Sequence, residues 1–163
     1  ALQTSKAGTK IQIGEKITRW LGVGANPDVG AQSAEENEAE VAEVLNEDPN
    51  IVFKTLVTTA KSKNYYVFMI PVEKELDLKK CATSVNEKSV EMIPQKELLP
   101  LTGYIHGGCS PIGMKKQFKT FTDETAILFE LICFSGGRVG TQVSMPPEEM
   151  IKAVNPQLVD LVK

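Results

Sequence analysis

The chain has 163 residues, 42% hydrophobic and 24% charged, which suits an ordinary globule with one core and leaves little room for a second full domain. Its net charge of −3 excludes a protein that coats nucleic acid by bulk charge, while still allowing a local basic patch that grips one end of an RNA. No apolar run approaches the ~20 residues needed to cross a bilayer, and no signal-peptide pattern opens the chain. The three cysteines, Cys81, Cys109 and Cys133, have no CxxC spacing and accompany a single histidine, His106. They form no zinc set and suit a reducing compartment. The expectation is a cytoplasmic protein without metal, cofactor or membrane attachment.

In chain order, Ile13, Ile17, Trp20 and Leu21 have helix-compatible spacing, so a short helix is predicted within Lys10–Val23, followed by a glycine-containing loop. Ser33 and Glu36 form a capping box that starts a second helix, with Val41, Val44 and Leu45 as its apolar stripe and Pro49 as its stop. The glutamates between Glu35 and Glu43 read as a solvated helix face. Ile51–Thr59 and Tyr65–Pro71 read as two strands of a hairpin around the polar turn Lys61-Ser62-Lys63-Asn64. Asp77 can cap a short helix through Ala82. Val90–Ile93 reads as a strand and Pro94–Leu99 as a helical turn or two. After the glycine-rich segment Gly103–Gly113, Ala126–Phe134 and Val139–Met145 are predicted strands joined by the turn Ser135-Gly136-Gly137-Arg138. Pro146 and Pro147 open a helix to about Val154, with Glu148 and Glu149 at its positive end, and Pro156 permits a short final helix. Hairpins and helices in irregular order predict an α+β fold.

Candidate chemistry lies in two places. Lys54, inside the first hairpin strand, projects with Val52 and Leu56 among apolar neighbours, and either snorkels to the surface or reaches into a cleft. The loop Gly103–Gly113 is either a simple turn or a segment whose glycines let backbone N–H groups approach an anion or carbonyl oxygen. It matches neither a Walker A loop nor GxGxxG. Cys109 and His106 invite a thiol–imidazole dyad, but no third group is evident to orient the histidine, and Ser110 lacks a G-x-S-x-G context. Lys115, Lys116 and Lys119 are either a solvated cluster or an RNA phosphate handle, and Arg138 has the same two readings.

Six segments in order resemble the YbaK/EbsC family, whose relatives include the editing insertion of bacterial prolyl-tRNA synthetases. They are Phe53-Lys54-Thr55-Leu56, Leu76-Asp77-Leu78-Lys79-Lys80, Val90-Glu91-Met92, Thr102-Gly103-Tyr104, Gly107-Gly108-Cys109-Ser110-Pro111-Ile112-Gly113 with Lys115-Lys116, and Ser135-Gly136-Gly137. The resemblance covers about residues 50–163 of a single domain spanning 1–163, with 1–49 divergent. It implies a closed or nearly closed, barrel-like mixed sheet surrounded by helices. It also implies trans-editing hydrolysis of a mischarged aminoacyl-tRNA, typically cysteine on the proline tRNA. The partners implied are the aminoacyl-tRNA acceptor end and, as a candidate, prolyl-tRNA synthetase.

By the same resemblance, Lys54, Gly107, Gly108 and Ser110 carry catalysis. Thr55, Tyr104, Cys109, Pro111, Gly136 and Gly137 bind substrate, and Lys115, Lys116 and Arg138 meet the tRNA. In cysteine-specific members the substrate's own thiol attacks its ester, so no protein nucleophile is required. Three departures stand out: no Tyr or Phe precedes Phe53, Gln142 lies where some cysteine-specific members carry an acid, and Cys109 occupies a position often aliphatic in relatives. The alternatives are a non-catalytic tRNA- or synthetase-binding relative and a thiol hydrolase using Cys109.

Overall fold

The β-branched run after Asn50 forms the spine of the molecule, as its composition predicts. In the computed structural model, which describes residues 9–13, 16–22 and 49–163, a 3-10 turn at Pro49–Ile51 leads into strand β3 (Phe53–Ala60). The chain turns at Lys61–Asn64 and returns as β4 (Tyr65–Pro71), antiparallel, with Lys54 opposite Ile70 and Thr55 opposite Met69. Lys63 takes a positive φ of 65° in this turn, and its N–H donates to the Ala60 carbonyl at 2.9 Å. The first helix, α1 (Leu78–Ser84), starts where expected: the Asp77 carboxylate accepts from the Lys79 and Lys80 N–H groups at 3.0 and 3.2 Å. Strand β5 (Val90–Met92) and helix α2 (Gln95–Thr102) follow. The helix is longer than predicted, because Pro100 sits inside it and Gly103, with φ of 86°, closes it only after Thr102.

Elsewhere the structure corrects the sequence. The predicted helix in Lys10–Val23 is two antiparallel strands, β1 (Thr9–Ile13) and β2 (Lys16–Gly22). Ile11 and Ile13 alternate with Lys10 and Gln12, and Gly14 punctuates, so the period-2 pattern won over the helical one. The helix predicted from Ser33 lies outside the described residues. A strand that was not predicted, β6 (Lys119–Asp123), runs parallel to β4. The strand predicted over Ala126–Phe134 is divided: Asp123 caps a 3-10 segment, Glu124–Leu128, and only β7 (Ile132–Ser135) is extended. β7 pairs with β8 (Thr141–Met145), then Pro146 and Pro147 start α3 (Pro147–Val154) as expected. The final segment forms strand β9 (Gln157–Val159), parallel to β6, where a helix was expected. Pairing with an exposed edge outweighed the local signal of Pro156.

These strands form two sheets, ordered β1-β2-β8-β7 and β5-β3-β4-β6-β9. The fold is α+β as expected. Among the described residues no closed barrel forms; the two sheets meet at one parallel bridge, Val52 to Cys133. One face of the five-stranded sheet buries Phe68, Ile70 and Phe121 against Cys81, Ala82 and Leu161. The other buries Phe53 and Met69 with Phe134, Met145, Met150 and Val154, and Val57 and Val67 with Leu98, Cys109 and Phe118. At the far edge Asp123, 1% exposed, accepts from the Leu161 N–H at 3.0 Å and from the Thr125 hydroxyl at 2.6 Å. Asp123→Ala would strand those donors and is expected to cost about 3 kcal/mol, seen as a lower urea midpoint with an unchanged slope.

Candidate active site

The glycine-rich segment is tied to itself. Thr102 Oγ1 donates to the Leu98 carbonyl at 2.7 Å and accepts the Tyr104 N–H at 3.1 Å. The Lys115 N–H donates to the Thr102 carbonyl at 2.9 Å, closing the loop at its base. Across the loop the Tyr104 hydroxyl donates to the Ile112 carbonyl, and the Ile112 N–H donates to Ser110 Oγ at 3.2 Å. Gly107 has a φ of 88°, a conformation in which a side chain is strained. The Gly108 N–H already donates to the Ile105 carbonyl at 3.0 Å, so it is engaged within the loop and not aimed at a ligand. The role of Gly108 is spatial: a Cβ there would lie 3.1 Å from both the Arg138 carbonyl carbon and the Val139 nitrogen.

That close approach sets the loop against the Ser135–Arg138 turn. The Tyr104 ring covers Gly137, whose φ is 103°, leaving 3.0 Å to a hypothetical Cβ. Burial raises the Tyr104 phenol above its ordinary 10, with the charge of nearby Cys109 adding to the shift. The turn is closed by Gly136 N–H to the Thr141 carbonyl (2.8 Å) and Thr141 N–H to the Arg138 carbonyl (3.0 Å). The structure therefore brings together Tyr104, Gly107, Gly108, Gly136 and Gly137. Cys109, Ser110 and Pro111 are buried in the same loop, while Arg138, Lys115 and Lys116 are exposed around it.

Lys54 is 5% exposed, which removes the surface-snorkelling alternative. Strand alternation places it on the face of Ile70 and Phe68, whereas Thr55 shares the face on which the glycine loop packs. Its link to the site runs through the sheet junction. Two residues beyond the Val52–Cys133 bridge come Lys54 on β3 and Ser135 on β7. Ser135 is in turn opposite Gln142 on β8.

Here the structure adds Ser135 and Gln142, which the sequence did not single out as contacts, to the expected Thr55. The side-chain oxygens Thr55 Oγ1, Ser135 Oγ and Gln142 Oε1 are all buried with no hydrogen-bond partner in the protein. Buried polar groups are normally paired, so such orphans mark places where a polar ligand can complete them; Ser135 and Gln142 are cross-strand neighbours, and Thr55 stands on β3 opposite Met69. Only the cross-strand pairing of Ser135 with Gln142 discloses that they act together.

A thiol–imidazole dyad does not fit this geometry: Cys109 is 5% exposed within an apolar cluster, whereas His106 is exposed. Burial, with the charge of Asp77 second, pushes the Cys81 thiol up to about 12, which keeps it unreactive. No metal-binding group of His, Cys, Asp and Glu occurs among the described residues.

With the loop and the turn in view, the family pattern and a curated relative point to one class. The chain belongs to the aminoacyl-tRNA editing domain family, whose pattern it matches over residues 34–153, and it is an aminoacyl-tRNA deacylase. It is 45% identical over 121 residues, 74% of each chain, to a protein of Enterococcus faecalis (strain ATCC 700802 / V583) named "Putative Cys-tRNA(Pro)/Cys-tRNA(Cys) deacylase EbsC". The fold resembles a crystal structure of "a putative trans-editing enzyme for prolyl tRNA synthetase", with a TM-score of 0.76 and 20% identity over 90% of this chain and 87% of that one. It also resembles the hypothetical protein APE2540, with a TM-score of 0.76 and 21% identity over 90% and 91% of the two chains.

Gly108→Ala would push the loop away from the turn and is expected to lower deacylation at least about tenfold, equivalent to ~1.4 kcal/mol, with circular dichroism unchanged. The raised phenol of Tyr104 means that its bond to Ile112 is fully present below pH 10 and is lost as the pH climbs through the raised value. Alkaline absorbance titration of the wild type should show two tyrosines, Tyr66 and Tyr104, ionising above the ordinary range, and Tyr104→Phe should remove one of them.

Proposed function

We propose that residues 1–163 act as one trans-editing unit that hydrolyses Cys-tRNA(Pro) in the cytoplasm, with prolyl-tRNA synthetase as a partner that supplies tRNA selectivity. The observation that carries this reading is the pair of buried, unpaired oxygens of the cross-strand neighbours Ser135 and Gln142, at the base of the turn that the glycine loop approaches, with a third such oxygen at Thr55 on β3. The name of the E. faecalis relative supports the choice of cysteine and of the proline tRNA.

The chemistry needs little from the protein. An aminoacyl ester is activated, so orientation and carbonyl polarisation provide much of the rate. The N–H groups of Gly107 and Ser110 receive the developing charge on the ester oxygen. Lys54 steadies the ribose-phosphate side, a role suited to a buried ammonium whose interaction energy is not diluted by water. The hydroxyls of Thr55 and Ser135 and the Gln142 carbonyl oxygen hydrogen-bond the amino and thiol groups of the cysteinyl moiety. The substrate thiol attacks its own carbonyl carbon, the bond to the ribose oxygen breaks, and that oxygen leaves as an alcohol after taking up a proton. Water then opens the resulting thiolactone.

Deacylation of proline tRNA charged separately with cysteine, alanine and proline tests the reading. Wild type should act selectively on the cysteinyl ester. Lys54→Ala should lose about 100-fold or more in rate, and Cys109→Ala should retain turnover. Undiminished activity in Lys54→Ala would overturn the role given to Lys54. Binding of tRNA without turnover of any ester would favour the non-catalytic alternative.

A further inference from the structure

A second concave surface lies at the opposite end of β3 from Lys54. It is a groove of about 400 Å3 between the β3–β4 turn and the chain leading into β6, lined by Lys63, Tyr65, Lys116, Gln117, Phe118 and Lys119 among others. Lys63, Lys116, Gln117 and Lys119 are all exposed. In a chain whose net charge is −3, three lysines around one groove are a local reversal of sign. Their backbone is fixed. Lys63 is held in the turn by its bond to Ala60, and Lys119 stands opposite Tyr66 in the parallel β4–β6 pairing.

The floor of the groove is aromatic. Tyr65 and Phe118 meet edge to face, with ring centroids 5.8 Å apart at 60°, and the Lys116 ammonium lies 5.9 Å from the Phe118 centroid. Two acids lie at this end: Glu91 on β5, opposite Thr59 and exposed, and Glu87, whose carboxylate is engaged by the Ser62 and Tyr66 hydroxyls at 2.6 and 2.8 Å. Those bonds, the Ser62 one first, hold its carboxyl below the usual carboxylate range. Phe118 is buried and supports the half-buried Tyr65 from below, so lysines around the Tyr65 ring, with the Gln117 and Asn64 amides at the rim, suit a nucleotide: phosphate on the ammonium groups, base against Tyr65. An acidic peptide would use the lysines and leave the aromatic floor unexplained.

We propose that this groove binds a nucleotide of the tRNA other than the aminoacylated one, and so acts as a second RNA contact that aligns the acceptor end. The proposal rests on the deacylase reading for the identity of its RNA. From Lys54 to Thr59, the residue opposite Tyr65, is five residues along β3, roughly 17 Å. The groove is therefore too far from Lys54 for one nucleotide to occupy both. It extends the tRNA surface beyond Lys115, Lys116 and Arg138 to Lys63, Tyr65 and Lys119.

The test uses the full chain carrying Lys63→Glu with Lys119→Glu, a milder Lys63→Gln with Lys119→Gln pair, and Lys152→Glu as a control on exposed charge far from the groove. Binding to uncharged proline tRNA is measured from about 50 to about 200 mM salt, alongside deacylation of the full tRNA and of a cysteinyl-adenosine ester too short to reach the groove. The double variants should bind tRNA at least about tenfold more weakly, with a salt slope shallower by about two. KM for the full tRNA should rise at unchanged kcat, and turnover of the short ester should not change. The control should match the wild type throughout. Equal affinity and equal slope in wild type and double variants would overturn the groove, as would a wild type that binds no tRNA. Loss of tRNA affinity in the double variants, in a protein whose wild type turns over neither ester, would sink the deacylase reading and leave the groove standing.

Discussion

The parallel bridge between Val52 and Cys133 is the contact through which the two sheets share one register. Two residues on from it come Lys54 on β3 and Ser135 on β7, and Ser135 pairs opposite Gln142 on β8. Without the bridge, β3 would belong to one sheet and the Ser135–Arg138 turn to another, with nothing to fix their offset. Phe53 and Phe134, each one residue beyond the bridge, lie in the same apolar cluster with Met69 and Met145. Burial therefore reinforces the register that one pair of backbones sets. A slip of a single residue would exchange Lys54 and Phe53 between polar junction and core, which makes the arrangement steep in energy.

The glycine loop shows a different division of labour. Its interior is satisfied by its own groups, with the Thr102 hydroxyl, the Tyr104 phenol and the Ser110 hydroxyl each bonded within the segment. Its outer surface approaches the turn at a distance only glycine permits. The loop is thus formed before any ligand arrives, and little ordering entropy remains to oppose binding. Against that economy stand Thr55, Ser135 and Gln142, whose buried oxygens each carry a desolvation penalty of about 1–3 kcal/mol. Stability is given up at the junction and recovered in the surrounding clusters, the pattern expected where a site must recognise something polar.

Much of this was legible in the sequence where the signal is local. The hairpin of β3 and β4, the Asp77 cap, the Pro146–Pro147 helix start and the glycine loop depend on neighbours a few residues apart. What stayed hidden depends on distant partners. The segments β6 and β9 are short, with little local pattern, and become strands because β4 offers an edge to Lys119–Asp123 and β6 offers one to Gln157–Val159. β1 and β2 carry isoleucines that fit either period, and pairing with each other and with β8 decided between them. At the site, the resemblance pointed to Lys54 and the loop. The partnership of Ser135 and Gln142 needed the strand register, and the groove joins Lys63 to Lys119 across more than fifty residues.

The strand order also sets a timetable for synthesis. β2, made early, pairs with β8, and the sheet of β3 and β4 is edged by β9, whose neighbour Leu161 is held by Asp123. The four-stranded sheet cannot be completed on a ribosome until Met145 has left the exit tunnel, nor the five-stranded one until Val159 has. Contacts this far apart in sequence slow folding and lengthen the time during which apolar strands such as Tyr65–Pro71 stay uncovered. The emerging chain is therefore expected to keep apolar surface uncovered for longer than a protein of this size built from local helical contacts.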